Sequence, residues 1–184
     1  MGNESKIKSD YLEYMNRVNN ESIPAYEPTF GNEEMENLKE VVSSGWISEG
    51  KYSRKCESFL SKYCNRDGAV ITNSGTAALI IGMKSCGIGY GDEVIVPSLS
   101  HSADPNSISA IGAKVKFSDV NLDTLCLSAD LISENITNKT KAILNVCAYG
   151  NSGDLDKIEQ LAKDENLIFI NDCAPALGCS YNEK

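Results

Sequence analysis

A chain of 184 residues, 41% of them hydrophobic, is long enough to bury one sizeable core. Its net charge of −9 argues against a nucleic-acid or membrane surface, which would need a basic footprint, but leaves room for a locally positive pocket that takes a small anion. No apolar run approaches the ~18 residues of a membrane span, and the polar stretch from Met1 to Asn20 does not read as a secretory signal. The seven cysteines are odd in number and form no CxxC pair, so buried, reduced thiols in a cytoplasmic protein are expected. His101 is the single histidine and cannot make a metal site alone, so no metal is expected.

Residues 1–22 read as a polar N-terminal arm or frayed helix, and residues 23–184 as the folded part. From Asn32, the apolar positions Met35, Leu38, Val41 and Val42 recur at helical spacing, and Gly45 supplies a stop. A second helix is expected from Ser53 to Tyr63, with Ser53 as its cap. Strands and helices then alternate. Ala69–Thr72 is predicted as a strand, Thr76–Ser85 as a helix, Glu93–Val96 as a strand closed by Pro97, and a helix follows to Ile111. Lys114–Phe117 is predicted as a strand, Ser128–Glu134 as a capped helix, Ala142–Val146 as a strand and Leu155–Asp164 as a helix capped by Asp154. Leu167–Ile170 is a last strand, running into Asn171 and Asp172. The closing Tyr181–Lys184 is a polar, hairpin-like stretch. Short, continuously apolar strands alternating with helices predict the α/β class: a mostly parallel sheet with helices on both faces. Ligands of such sheets bind beyond the carboxyl ends of the strands.

Four places after strand ends could carry chemistry. Thr72-Asn73-Ser74-Gly75-Thr76-Ala77 is a glycine-containing turn that opens a helix, so its free amides suit an anion, and they equally suit a plain N-cap. Asp172 closes a strand and could hold a cofactor's ring nitrogen protonated, or could be a capping carboxylate. His101, after Pro97, could stack on a flat ring or serve as a hydrogen-bonded structural residue. Tyr149-Gly150 fits a simple turn. Gly87-Ile88-Gly89-Tyr90-Gly91 is not a dinucleotide fingerprint, because it precedes a strand and lacks the third glycine.

Several segments in order resemble the DegT/DnrJ/EryC1/StrS family of sugar aminotransferases, which depend on pyridoxal 5′-phosphate (PLP). They are Ile23-Pro24-Ala25-Tyr26, Ser44-Gly45-Trp46-Ile47-Ser48-Glu49-Gly50, Ser74-Gly75-Thr76-Ala77-Ala78-Leu79, Gly91-Asp92-Glu93-Val94-Ile95-Val96-Pro97-Ser98, Gly112-Ala113-Lys114-Val115 with Asp119, Thr140-Lys141-Ala142-Ile143, Tyr149-Gly150, and Asp172-Cys173-Ala174 with Gly178. The resemblance implies an incomplete large domain of the type I PLP-transferase fold. It matches Gly75, Thr76 and Ala77 to the turn that binds the cofactor phosphate, His101 to the position that stacks on the pyridine ring, and Asp172 to the acid that pairs with the pyridine nitrogen. Trp46, Ile47 and Ser48 match the segment near the sugar-nucleotide site.

The implied reaction moves an amino group, from glutamate, to a nucleotide-linked keto-sugar for polysaccharide or lipopolysaccharide synthesis, in a homodimer. A PLP-dependent sugar dehydrase is the nearest alternative enzyme. The chain ends at Lys184, before the position where the resemblance places the Schiff-base lysine, so a non-catalytic truncated copy is the alternative of a different class. Three departures stand out: His101 replaces the larger aromatic residue common at the stacking position, Pro175 replaces Gln or His, and Cys147 stands where His is frequent.

Overall fold

A computed structural model describes residue 9, residues 11–17 and residues 28–182. The predicted arm and the Ile23–Tyr26 segment therefore fall largely outside the described residues, as do Glu183 and Lys184, although residues 11–17 are helical. The chain forms two compact units, residues 1–58 and residues 59–184.

In the first unit, helix α1 spans Asn32–Ser44. The Glu34 carboxylate turns back to accept the Gly31 amide at 2.6 Å, which satisfies a donor at the helix entrance. At the far end Gly45 adopts φ 70°, a left-handed conformation that costs glycine little, and its amide bonds to the Val42 carbonyl. Helix α2, Lys51–Tyr63, starts two residues before the expected Ser53. The reason is local: the Gly50 carbonyl already accepts the Arg54 amide at 3.2 Å, so Ser53 lies inside the first turn.

The second unit is built on four parallel strands: β1 Glu93–Pro97, β2 Lys114–Ser118, β3 Thr140–Val146 and β4 Ile168–Asp172. Their order in the sheet is β2-β1-β3-β4. Helix α3 (Gly75–Ser85) precedes β1, and helices α4 (Ala103–Ala110), α5 (Ala129–Ser133) and α6 (Leu155–Asp164) lie in the three connections between strands. Side chains alternate across a strand, and the two cores show it. Val94, Val96, Ala142 and Leu144 pack with Met83 of α3 and Ile108 of α4 on one face. Ile95 and Ile143 pack with Ile132 of α5 and Ile158 and Ala162 of α6 on the other. Burial on both faces is why β1 and β3 carry the continuous apolar stretches Val94–Val96 and Ala142–Leu144. The edge strand β2 is more exposed and carries Lys114 and Lys116, which discourage further pairing.

At the amino-terminal ends of the strands, buried Glu93 accepts hydrogen bonds from the Thr137 hydroxyl at 2.7 Å and from Lys114 at 2.9 Å. Those two donors hold its carboxyl below the usual carboxylate range, against the effect of burial.

The structure departs from expectation at three points. Ala69–Thr72 is not a strand: it belongs to none of the sheet's ladders, and Val70 is 81% exposed. Asp154 stands at the N-cap of α6 but makes no side-chain cap bond; its carboxylate instead pairs with Lys157 at 2.6 Å and accepts the Tyr181 hydroxyl at 3.3 Å. The cysteines are all free, but only Cys126 and Cys147 are buried, whereas Cys56, Cys64, Cys86, Cys173 and Cys179 are exposed. No helix among the described residues is long and apolar enough to cross a membrane.

Candidate functional site

The carboxyl ends of β1, β3 and β4 and the first turns of α3 and α4 carry the polar residues of interest. At the entrance of α3, Ser74 is extended and its hydroxyl accepts the Ala77 amide at 3.1 Å. Thr72 donates its hydroxyl proton to the Ser74 carbonyl at 2.8 Å, which braces the turn. The Gly75 and Thr76 amides precede the helical ladder and have no carbonyl within the helix to bond. No side chain would be displaced at Gly75, since a Cβ there meets nothing within 4 Å. The turn is thus both a side-chain N-cap and an open pair of amides aligned with the helix dipole.

After β1, the chain turns through Ser98–Ser102 into α4. The His101 ring is exposed, and its Nδ1 accepts the Ala103 amide at 3.1 Å. That bond places the ring proton on Nε2 and fixes the ring orientation. The His101 carbonyl also accepts the Asp104 amide at 3.0 Å, so this residue caps α4 while keeping its ring face free.

Asp172, the last residue of β4, is partly exposed, and one of its oxygens accepts the Ala174 amide at 2.8 Å. Facing it is Asp104 from the first turn of α4, a residue not singled out in the sequence. Asp104 is 1% exposed, and neither of its carboxylate oxygens has a hydrogen-bond donor. Burial, then the proximity of the Asp172 carboxyl, push the Asp104 carboxyl up to about 7. Asp104 therefore keeps its proton up to near neutrality. A first-turn acid is unremarkable in sequence, because it also suits the helix dipole, and only folding reveals its partner.

Between β3 and β4 lies a second polar cluster. Asn145 is fully buried; its amide donates to Asn171 Oδ1 at 2.8 Å, and its own oxygen has no partner. The Cys147 and Cys173 sulfurs are 4.0 Å apart. The chain then enters a tight turn at Tyr149 (φ 54°) and Gly150 (φ 83°), with the Tyr149 ring exposed, as a simple turn requires.

Asp104 links the His101 loop to Asp172. No hydrogen bond among the described residues joins the entrance of α3 to either. Trp46, Ile47 and Ser48 belong to the first unit. There Trp46 and Ser48 line a cleft of about 530 Å³ with Glu40, Lys51 and Tyr52, whereas Ile47 is not part of its lining and is 81% exposed. The Trp46 indole donates to the Glu49 carbonyl at 2.7 Å. Gly50 permits this packing, since a Cβ there would come within 3.0 Å of the indole.

The fit to a phosphorylated pyridine cofactor rests on these features. Open helix-start amides suit a phosphate, a carboxylate at a strand end suits a ring nitrogen, a free imidazole face suits an aromatic ring, and buried acceptors at the same strand ends lack donors. Pro175 sits in an exposed 3₁₀ turn, Ala174–Ala176, and contributes no side-chain hydrogen bond.

Comparison with known proteins agrees with this geometry. The family model described as the DegT/DnrJ/EryC1/StrS aminotransferase family matches residues 28–184. A GDP-perosamine synthase of Escherichia coli O157:H7 is 40% identical over 163 residues, covering 88% of this chain and 45% of that protein. A UDP-4-amino-4-deoxy-L-arabinose–oxoglutarate aminotransferase of Shewanella sediminis is 37% identical over 164 residues, covering 89% of this chain and 42% of that protein. Among solved structures, an aminotransferase from Psychrobacter cryohalolentis superposes with a TM-score of 0.81 at 33% identity, over 85% of this chain and 40% of the other. A GDP-4-keto-6-deoxymannose-3-dehydratase with a trapped PLP-glutamate geminal diamine also gives 0.81, at 28% identity, over 89% of this chain and 44% of the other. The chain thus spans less than half the length of the relatives it matches, and its sheet is part of the type I fold of PLP-dependent aminotransferases. From residue 28 onward, this chain belongs to the DegT/DnrJ/EryC1/StrS aminotransferase family.

Proposed function

We propose that this chain is the cofactor-binding part of a PLP-dependent enzyme that transfers an amino group, from glutamate, to a nucleotide-linked keto-sugar. The observation that carries the reading is Asp172, held at the carboxyl end of β4 by the Ala174 amide and backed by the buried Asp104 carboxyl. PLP, when bound, supplies the electron sink that amino transfer needs. The chain's own residues bind and orient it. The Gly75 and Thr76 amides, with the Thr76 hydroxyl and the Ala77 end of the turn, hold the phosphate. Asp172 keeps a proton on the ring nitrogen by a charge-assisted hydrogen bond. Asp104, buried beside it, stays protonated up to about pH 7 and so adds no second negative charge there below that pH. His101 offers its ring face for stacking while its Nδ1 stays engaged with the Ala103 amide. Trp46, Ile47 and Ser48 contact the sugar nucleotide, a role that rests on the family resemblance and on the cleft two of them line. The homodimer and the setting in polysaccharide synthesis rest on the family relatives, which include a spore coat polysaccharide biosynthesis protein of Bacillus subtilis.

The test is an assay of the native gene product with a nucleotide-linked 4-keto-6-deoxy sugar and glutamate. Formation of 2-oxoglutarate together with an amino sugar of matching mass supports the proposal. Loss of a ring hydroxyl without a retained amino group assigns the dehydrase reading instead, the activity for which one structural neighbour, a GDP-4-keto-6-deoxymannose-3-dehydratase, is named. A product that neither retains PLP nor turns over either substrate refutes both and leaves a non-catalytic protein.

A further inference from the structure

We propose that Cys147 and Cys173 form a covalent modification site, a dithiol that closes reversibly into a disulfide across the carboxyl ends of β3 and β4. The strands place them together. Asn145 pairs with Asn171 and Val146 with Asp172 in parallel register, and the Cys147 amide continues the ladder by bonding to the Asp172 carbonyl at 3.0 Å. Neighbouring strands run about 4.8 Å apart, inside the window of about 4.4–6.8 Å between α-carbons that a disulfide accepts. The two sulfurs already lie at 4.0 Å, so side-chain rotation closes most of the gap to the ~2.05 Å of a bond.

The surroundings suit sulfur chemistry. The Asn171 amide donates to the Cys173 sulfur at 3.1 Å, and the Asn171 oxygen faces the Cys147 sulfur at 3.4 Å. Cys147 is 3% exposed, while Cys173 is exposed, so the pair has one inner and one outer sulfur. The two sulfurs lie within hydrogen-bonding distance of each other, and that proximity moves the thiols in opposite directions, Cys147 down to about 7 against the effect of burial and Cys173 up. One thiolate beside one neutral thiol is the starting state that disulfide formation requires.

The oxidant is a small hydroperoxide. The thiolate attacks one peroxide oxygen; the sulfur–oxygen bond forms, the oxygen–oxygen bond breaks, and the departing hydroxide takes a proton to become water. The second thiol then gives up its proton and its sulfur attacks the sulfenic sulfur. The sulfur–sulfur bond forms as the sulfur–oxygen bond breaks, and a second water leaves. The two sulfurs together lose two electrons, the peroxide gains them, and a dithiol reductant reverses the change. The other five cysteines supply the internal contrast, since their oxidation under the same conditions is not expected to yield this link.

The experiment treats the folded, reduced chain with equimolar hydrogen peroxide, alkylates the remaining thiols and maps the tryptic peptides by mass spectrometry. The expected result is a loss of two hydrogens and a cross-link between the peptide of residues 142–157 and that of residues 164–184, assigned to Cys173 by fragmentation. The link persists in Cys179→Ser, disappears in Cys173→Ser, is reversed by dithiothreitol, and loses its selectivity when peroxide is added in strong denaturant. Recovery of Cys147 and Cys173 as alkylated thiols while other cysteines oxidise would overturn the proposal. So would over-oxidation of either sulfur with no cross-link, or an equal spread of cross-links over all seven cysteines. The readout does not depend on bound cofactor, so its outcome is separate from that of the amino-transfer assay.

Discussion

Replacing Asp104 by Asn exchanges a buried, titrating carboxyl for a neutral group of the same shape. In the native protein Asp104 is pushed from 3.8 up to about 7 by burial and by Asp172. The folded state therefore holds this proton more tightly than the unfolded chain does. Between pH 4 and 7 the unfolded chain is ionised at this residue and the native protein is not, so stability falls as pH rises through that window. Above about pH 7 the native protein carries the full cost of a buried carboxylate beside a second one. A shift of about 3 units corresponds to roughly 4 kcal/mol as a ceiling, and because part of it is shared with Asp172, about 2 kcal/mol is expected. Urea unfolding at pH 5 and pH 8 measures it. With a urea slope of about 2 kcal/mol/M, Asp104→Asn should raise the midpoint by roughly 1 M relative to the native sequence at pH 8, with a much smaller difference at pH 5. The same offset at both pH values would show that Asp104 does not titrate in this window and would remove the carboxylate pair from the account of the site.

Three further substitutions separate stability from binding. Asp172→Asn relieves the same repulsion and should stabilise the chain at pH 8, yet weaken its binding of pyridoxamine 5′-phosphate about 10- to 100-fold in equilibrium dialysis, because a charge-assisted bond to the ring nitrogen is lost; binding that is unchanged contradicts its assignment. Ser74→Ala removes the hydroxyl that accepts the Ala77 amide and should cost about 1 kcal/mol in urea unfolding, with faster hydrogen exchange at Ala77. Gly153→Ala places a Cβ 2.9 Å from Cys126 Cβ at a residue with φ +61°, so a loss of about 2–4 kcal/mol is expected from backbone strain and overpacking; a loss below about 0.5 kcal/mol would mean the loop moves aside.

Much of the architecture is written locally. Val94–Val96 and Ala142–Leu144 are apolar at every position because both faces of a parallel strand are buried, and that composition alone predicts central strands. Gly45 and Ser128 mark helix ends because a left-handed residue and an N-cap hydroxyl act within one turn. The ordered segments from Ser74 to Asp172 are likewise sufficient to place the chain in its family. What local reading misplaces depends on partners. Ala69–Thr72 has strand composition, but a strand exists only with a neighbour to pair with. Asp154 has the chemistry of a cap, yet Lys157 and Tyr181 compete for its oxygens.

The site divides along the same line. The turn at Ser74–Ala77, His101 and Asp172 stand out in the sequence because each is a residue type joined to a local device, a helix start or a strand end. Asp104 against Asp172 and Cys147 against Cys173 do not, because each pair joins residues far apart in the chain that only the fold brings together, the two cysteines through the parallel register of β3 and β4. By itself the sequence determined periodicity, caps and family. Burial and the charge a residue carries belong to the folded neighbourhood, because desolvation and proton sharing depend on which groups meet, and only the tertiary structure decided that.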